Sequence, residues 1–325
     1  MTNTIPQEAR SQGLAHFPVT FFAVVMGLLG LTLALHAAAP VWAPAAVLSS
    51  GMLGLSLLAL VVISAFYGLK ALRHPGDVAA EWQHPVKLAF FPTITISLLL
   101  LSTALWPLLP GVARGIWLCG VIGQGALTLA VISGWISHRS FEVGHLTPAW
   151  FIPAVGNVIV PVAGVPMGYV EISWLFFSGG LMFWVVLLTL VMNRLIFHDP
   201  IPARLFPTMV ILIAPPAVAF VAYVALAGGL DGLARGLIYT SYIFTALVVV
   251  QVPKLARLPF ALSWWGLSFP LAALAIASFR FAALAGTLAH LVIGVAALTV
   301  LALVVLGLAA RTGLAVARGE ICRPE

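Results

Sequence analysis

The chain has 325 residues, of which 62% are hydrophobic and 7% charged, and its mean hydropathy is +1.14. A water-soluble domain carries roughly a quarter charged residues, so this composition excludes a soluble globule and points to an all-α polytopic membrane protein. The net charge of +6 resides on one membrane face once the spans are placed, and implies no nucleic-acid partner.

Taken in chain order, the first sixteen residues (MTNTIPQEARSQGLAH) are polar, and the apolar run after them is too long for the core of a cleaved signal. They read as a short cytoplasmic N-terminus. A helix needs about 20 apolar residues to cross the hydrocarbon core. Ten runs qualify: 17–38, 47–69, 88–108, 113–136, 149–167, 172–193, 205–228, 233–252, 258–279 and 284–310. The fifth is the shortest and the richest in proline and glycine. Residues 17–310 thus form one transmembrane domain, and 311–325 a cytoplasmic tail. Cys119, in an apolar run, and Cys322, in the tail, supply neither a disulfide framework nor a metal-type spacing.

Ten crossings place both termini on one side. Of the fifteen lysines and arginines, only Arg114, Arg235 and Arg280 then fall on the other side. The positive-inside rule makes the face with the termini cytoplasmic, which for a bacterial inner membrane protein is the expected orientation.

Prolines divide the spans into two sets. Span 1 holds Pro18, span 3 Pro92, span 5 Pro153 and Pro161, span 7 Pro207, Pro215 and Pro216, and span 9 Pro259 and Pro270. The even spans hold none within these limits. Short echoes (FPVT, FPTI, IPAV, FPTM and FPLA) recur 54 to 74 residues apart, about one helical hairpin each. Five hairpins sharing one orientation imply quasi-fivefold symmetry about an axis along the membrane normal. Proline frees backbone carbonyls that protein or water satisfies better than lipid does, so the odd helices are expected inside, around a central pore.

The odd spans carry no Asp, Glu, Lys or Arg at hydrocarbon depth, only hydroxyls such as Thr93, Thr208 and Ser263 and the amide of Asn157. Cation pathways and proton relays use intramembrane carboxylates, so their absence argues against both. Five inner helices would point their N-termini, each worth roughly +0.5 charge, at the cytoplasmic mouth. A weakly polar pore behind a positive mouth suits anions. Phe22, Asn157 and Pro215 are pore-lining candidates, because they lie on odd spans near the expected kinks. The small-residue stretch GVIGQGAL (120–127) suits close packing against another subunit. His36 and His290 raise a competing reading from another class, a haem- or quinone-binding membrane protein; as interfacial histidines they call for no cofactor and no metal. No HExxH, GxSxG, P-loop or CxxC motif is present, so the chain is expected not to be an enzyme.

Four stretches carry a family resemblance. EWQHPVKLAFF (81–91) resembles the start of the third helix in the tellurite-resistance/dicarboxylate transporter family, which includes bacterial TehA proteins, fungal malate permeases and the slow anion channels of plant guard cells. WFIPAVGN (150–157), PTMVILIAPPAVAFVAY (207–223) and WWGLSFPLAALAIAS (264–278) are similar to its fifth, seventh and ninth helices, in the family's order. The resemblance implies ten helices as five hairpins, a pore within each subunit, a homotrimer, and a phenylalanine of the ninth helix plugging the pore. The matching position is Phe269. There the resemblance meets the physics, because Pro270 removes an N–H near the middle of span 9 and is expected to kink the helix and push Phe269 toward the axis. The long phosphorylated tails of the plant channels are absent from this sequence, so kinase gating is not expected. Span 1 lacks a second, central proline, so its kink should be mild. The expected function is an anion channel or facilitated anion transporter for small inorganic or organic anions. The alternative within transport is proton-coupled movement of a C4-dicarboxylate, tellurite or sulfite.

Overall fold

A backbone surrounded by lipid must satisfy its hydrogen bonds within each segment, so the apolar runs wind into helices. The computed structural model describes residues 13–137 and 141–322; Arg10, Arg139 and Arg323 of the charge pattern lie outside the described residues. In chain order the helices are α1 (Val19–Ala38), α2 (Pro44–Arg73), α3 (Pro75–Gln83), α4 (Lys87–Leu105), α5 (Pro110–Ser137), α6 (Pro148–Gly164), α7 (Val170–Phe197), α8 (Phe206–Ala227), α9 (Gly232–Leu255), α10 (Leu262–Ala285) and α11 (Leu288–Ala317). Among the described residues, nine of these are long and apolar enough to cross a membrane. The shortest predicted run is the exception: it becomes α6, an apolar helix below spanning length. The short α3 lies in the connection between α2 and α4.

Consecutive long helices pack as hairpins: α1 with α2, α4 with α5, α6 with α7, α8 with α9, and α10 with α11. The first member of each pair also touches its counterparts in a closed circuit, α1–α4–α6–α8–α10–α1. Burial separates the two sets. The most apolar stretches of α1, α4, α8 and α10 are 67 to 78% buried, against 22 to 39% for α2, α5, α7, α9 and α11. The helices of the odd predicted spans are therefore the inner ring. The second members present leucine and valine outward, where lipid replaces water.

Every inner helix begins with a turn or more of 3₁₀ winding before it becomes α: Val19–Phe21, Lys87–Phe90, Pro148–Trp150, Phe206–Ile213 and Leu262–Leu267. These segments touch one another in the same circular order, forming a collar at one end of the ring. Proline explains the winding. Pro92 has no N–H to offer Leu88, four residues back, and the Leu88 carbonyl accepts instead from Phe91 N at 3.3 Å, an i→i+3 bond. Pro215 likewise leaves Ile211, whose carbonyl accepts from Ala214 N. In the two FPT echoes the threonine reinforces the tight turn, Thr93 donating to the Phe90 carbonyl and Thr208 to that of Leu205.

Three expectations need correction. Pro270 does not break an α-helix at its middle. It is the third residue of the α-wound part of α10, directly after the 3₁₀ segment Leu262–Leu267, so it marks a change of winding. The proline division is incomplete, because α9 runs past the predicted span and contains Pro253. The glycines of GVIGQGAL face neighbours in the same subunit. A Cβ on Gly120 would meet Leu99 at 3.0 Å, one on Gly123 would meet Thr95 at 2.7 Å, and one on Gly125 would meet Phe176 at 3.2 Å.

Candidate functional site

A cavity of about 40 Å³ lies within the ring at the level of the collar and the first α turns, and all five inner helices line it. Ala23 and Met26 come from α1, Phe90, Thr93 and Ile96 from α4, and Ile152 and Val155 from α6. Thr208, Ile211 and Ala214 come from α8, and Ser263, Trp265, Gly266, Phe269 and Pro270 from α10. Apart from Trp265 and Pro270, the positions on each helix are three residues apart. On α8 and α10 the pairs Thr208/Ile211 and Ser263/Gly266 lie in 3₁₀ winding, where residues i and i+3 eclipse and make a straight stripe; the lining pairs Ala23/Met26, Thr93/Ile96 and Ile152/Val155 are α-wound. On α10 the stripe 263–266–269 crosses from the 3₁₀ segment into the first α turn, and so brings the Phe269 ring to the cavity.

The wall carries no charged side chain. Its three hydroxyls are turned back onto the backbone: Thr93 to Phe90, Thr208 to Leu205, and Ser263 to Arg204. A water needs roughly 10–15 Å³ of such space, so the cavity admits a few waters and no hydrated anion. A short, apolar, narrow segment of this kind is a barrier to ions in itself.

The predicted site residues separate. Phe269, 9% exposed, and Pro270 line the cavity. Phe22 turns outward and meets Tyr67 of α2 edge-on, at 5.8 Å between ring centroids. Asn157 binds Thr128 Oγ1 of α5 at 3.0 Å and the Pro153 carbonyl at 2.9 Å. It belongs to a buried polar knot in which Gln124 also reaches that carbonyl at 3.0 Å and accepts from Thr95 Oγ1 at 2.6 Å. Pro215 is buried at the α-wound start of α8, beside the lining residue Ala214. Sequence reasoning missed Met26, Ile96, Ile152, Val155 and Ile211, which are unremarkable apolar residues one at a time. Ile96, Ile152, Val155 and Ile211 each lie within four residues of a proline, whereas Met26 has none so near.

The wall depends on close approach of α1 and α10. A Cβ on Gly27 would lie 2.3 Å from Ser268 Oγ, and one on Gly30 would lie 2.9 Å from the Ala272 Cβ and 3.8 Å from Phe269 Cα. Only glycine lets the two backbones meet there. The histidines weighed for haem have other surroundings. His290 contacts Thr287 Oγ1 through Nδ1 at 2.8 Å and lies 4.1 Å from the Phe281 ring, centroid to centroid, while His36 is exposed at the far end of α1. No group of three or more His, Cys, Asp or Glu suited to a metal occurs among the described residues.

Comparison with known proteins decides the family. Residues 16–313 match the SLAC1 profile, described as voltage-dependent anion channel. The chain belongs to this family. It is 26% identical to the tellurite resistance protein TehA homolog of Haemophilus influenzae, over 81% of each chain. It is 26% identical to the uncharacterized transporter MJ0576 of Methanocaldococcus jannaschii, over 82% of this chain and 84% of that one. The S-type anion channel SLAH3 of Arabidopsis thaliana is 25% identical over 86% of this chain but only 45% of its own length. The family match spans the five inner helices and hence the whole cavity wall.

Proposed function

We propose that the protein is a channel for small anions, conducting along the axis of the inner ring, with Phe269 as the occluding residue. The observation that carries this reading is the uncharged constriction to which all five inner helices contribute and beside which the Phe269 ring stands. Family membership supports anions as the conducted species. An apolar plug needs no ligand to hold ions back, and a wall without charged groups lets an anion leave as readily as it enters. The collar is the cytoplasmic mouth in this reading, set by the three-of-fifteen distribution of basic residues on the opposite face. Both termini are then cytoplasmic, the membrane is the bacterial inner membrane, and the assembly is a homotrimer with one pore per subunit.

The decisive experiment is flux in liposomes holding the purified protein, with chloride, nitrate and malate compared under a set voltage and a set proton gradient. Electrogenic chloride and nitrate flux that ignores the proton gradient is expected. Malate flux strictly coupled to protons, with no current from the small anions, would establish the coupled-transport alternative. Labelling single cysteines with an impermeant reagent should leave the 70–87 connection protected in intact cells and residues near Arg235 reactive. Native mass spectrometry from lipid nanodiscs should give trimers, and monomers alone would remove that part of the proposal.

A further inference from the structure

Lys70 and Glu81 form a buried ion pair, 3.1 Å from Nζ to Oε2, at 1% and 7% exposure. Among the described residues only Arg194 is a further buried charged side chain. The pair is not closed on itself. Lys70 Nζ donates to the Phe17 carbonyl at 3.0 Å, and Glu81 Oε1 accepts from Val19 N at 3.3 Å. Tyr67 donates to Glu81 Oε2 at 3.0 Å. Lys70 and Tyr67 stand on α2 and Glu81 on α3, so outer elements grip the backbone on both sides of Pro18. Val19 opens the 3₁₀ segment of α1, and its N–H has no partner within the helix. Glu81 therefore caps the first inner helix from outside it.

We propose that the Lys70–Glu81 pair is a positioning element for the constriction: it fixes the start of α1, and through α1 the wall against which the Phe269 segment rests. This rests on Phe269 being the occluding residue. Two observations connect the pair to the cavity. Phe22, one turn into α1, is held by the Tyr67 ring, which directs Ala23 and Met26 to the axis. Gly27 and Gly30 then lie against Ser268, Phe269 and Ala272. The α3 helix also packs on the 3₁₀ start of α4, so the same clamp sets a second wall of the cavity. Stability alone is a poor reason for such a pair, because well-packed apolar residues often replace a buried ion pair at no cost. Fixing one register among several is the better-attested use.

The test is Lys70→Met/Glu81→Met, which removes both charges and both backbone contacts at similar volume, in the otherwise wild-type chain and with Phe269→Ala. Single-channel or liposome conductance is read for protein that elutes as assembled. The expected result is a rise of about threefold or more in the wild-type background and no further rise with Phe269→Ala, the non-additivity of groups acting on one element. If the double-methionine variant fails to assemble, Lys70→Met/Glu81→Gln keeps an acceptor for Val19 N–H, releases Phe17, and should shift conductance in the same direction. An assembled, charge-free variant that conducts like wild type overturns the proposal, as does an equal factor in both backgrounds. If Phe269→Ala itself leaves conductance unchanged, the occlusion reading fails, and the positioning role falls with it.

Discussion

Replacing Phe269 with alanine tests the constriction most directly. The ring stands beside a cavity of about 40 Å³. Removing it vacates side-chain volume that would hold about three waters at ~30 Å³ each. The joined space would let an unbroken file of water and anion cross the level of the ring. Under the proposed occlusion, wild-type passage requires the ring to leave its packed rotamer, at about 1 kcal/mol for the rotamer and a comparable loss of contacts. At 1.4 kcal/mol per decade, a barrier lowered by about 2 kcal/mol raises conductance roughly thirtyfold. A phenylalanine-to-alanine change in a core costs about 3–5 kcal/mol of stability, and the low end applies here because one side of the ring already faces a void. Assembly should therefore survive. Planar-bilayer recording of Phe269→Ala, Phe269→Leu and Phe183→Ala separates the explanations. Phe269→Leu should lie between wild type and alanine. Phe183 is half-buried on the outer helix α7, outside the cavity wall, and its alanine variant should conduct as wild type does. An assembled Phe269→Ala channel with wild-type conductance would refute the argument.

Other consequences follow from the same packing. Gly27→Ala drives a methyl into Ser268 and Trp265, overpacking worth about 1–3 kcal/mol, so thermal unfolding in detergent should shift downward; an unchanged melt would mean that the α1–α10 contact is looser than described. Asn157→Ala should lower thermal stability by about 1–3 kcal/mol while anion permeability ratios stay constant, since its amide serves Thr128 and Pro153. Changed ratios would return Asn157 to the pore. The carboxyl of Asp231, which caps α9, is held below its ordinary 3.8 by the Ala234 N–H and then by the Tyr223 hydroxyl. A depressed carboxylate contributes stability above its unfolded pKa and loses it as pH falls through the folded value, so acidification below 3.8 should weaken the α8–α9 connection. Asp231→Asn should flatten that acid-side loss in melts compared between about pH 5 and about pH 3, and an unaltered slope would remove Asp231 from it.

Hydropathy and charge suffice for the helices, because transfer to lipid is decided residue by residue: among the described residues, nine of the ten apolar runs appear as helices of spanning length, with ends up to seven residues from where composition puts them. Proline content foretold the inner ring for a similarly local reason, since a freed carbonyl must find a partner wherever the chain goes. Phe269 was singled out from an expected mid-helix kink and the family pattern, whereas its place in the cavity wall goes with a change of winding. What stayed hidden was orientation about each helix axis. Phe22 and Met26 are both apolar residues of α1, yet one meets Tyr67 and the other lines the cavity. That choice depends on where 3₁₀ winding gives way to α. Each residue turns the chain by about 120° in the one and 100° in the other, so one turn of difference redirects every side chain beyond it. The Lys70–Glu81 pair was hidden for a related reason. Both residues look like ordinary interfacial charges until α2 and α3 fold over Pro18 and exclude water from them. The sequence by itself determined which segments enter the membrane and which of them turn inward. Only tertiary contact decided which side chains face the axis, because that depends on winding and packing shared among five helices, which no single segment encodes.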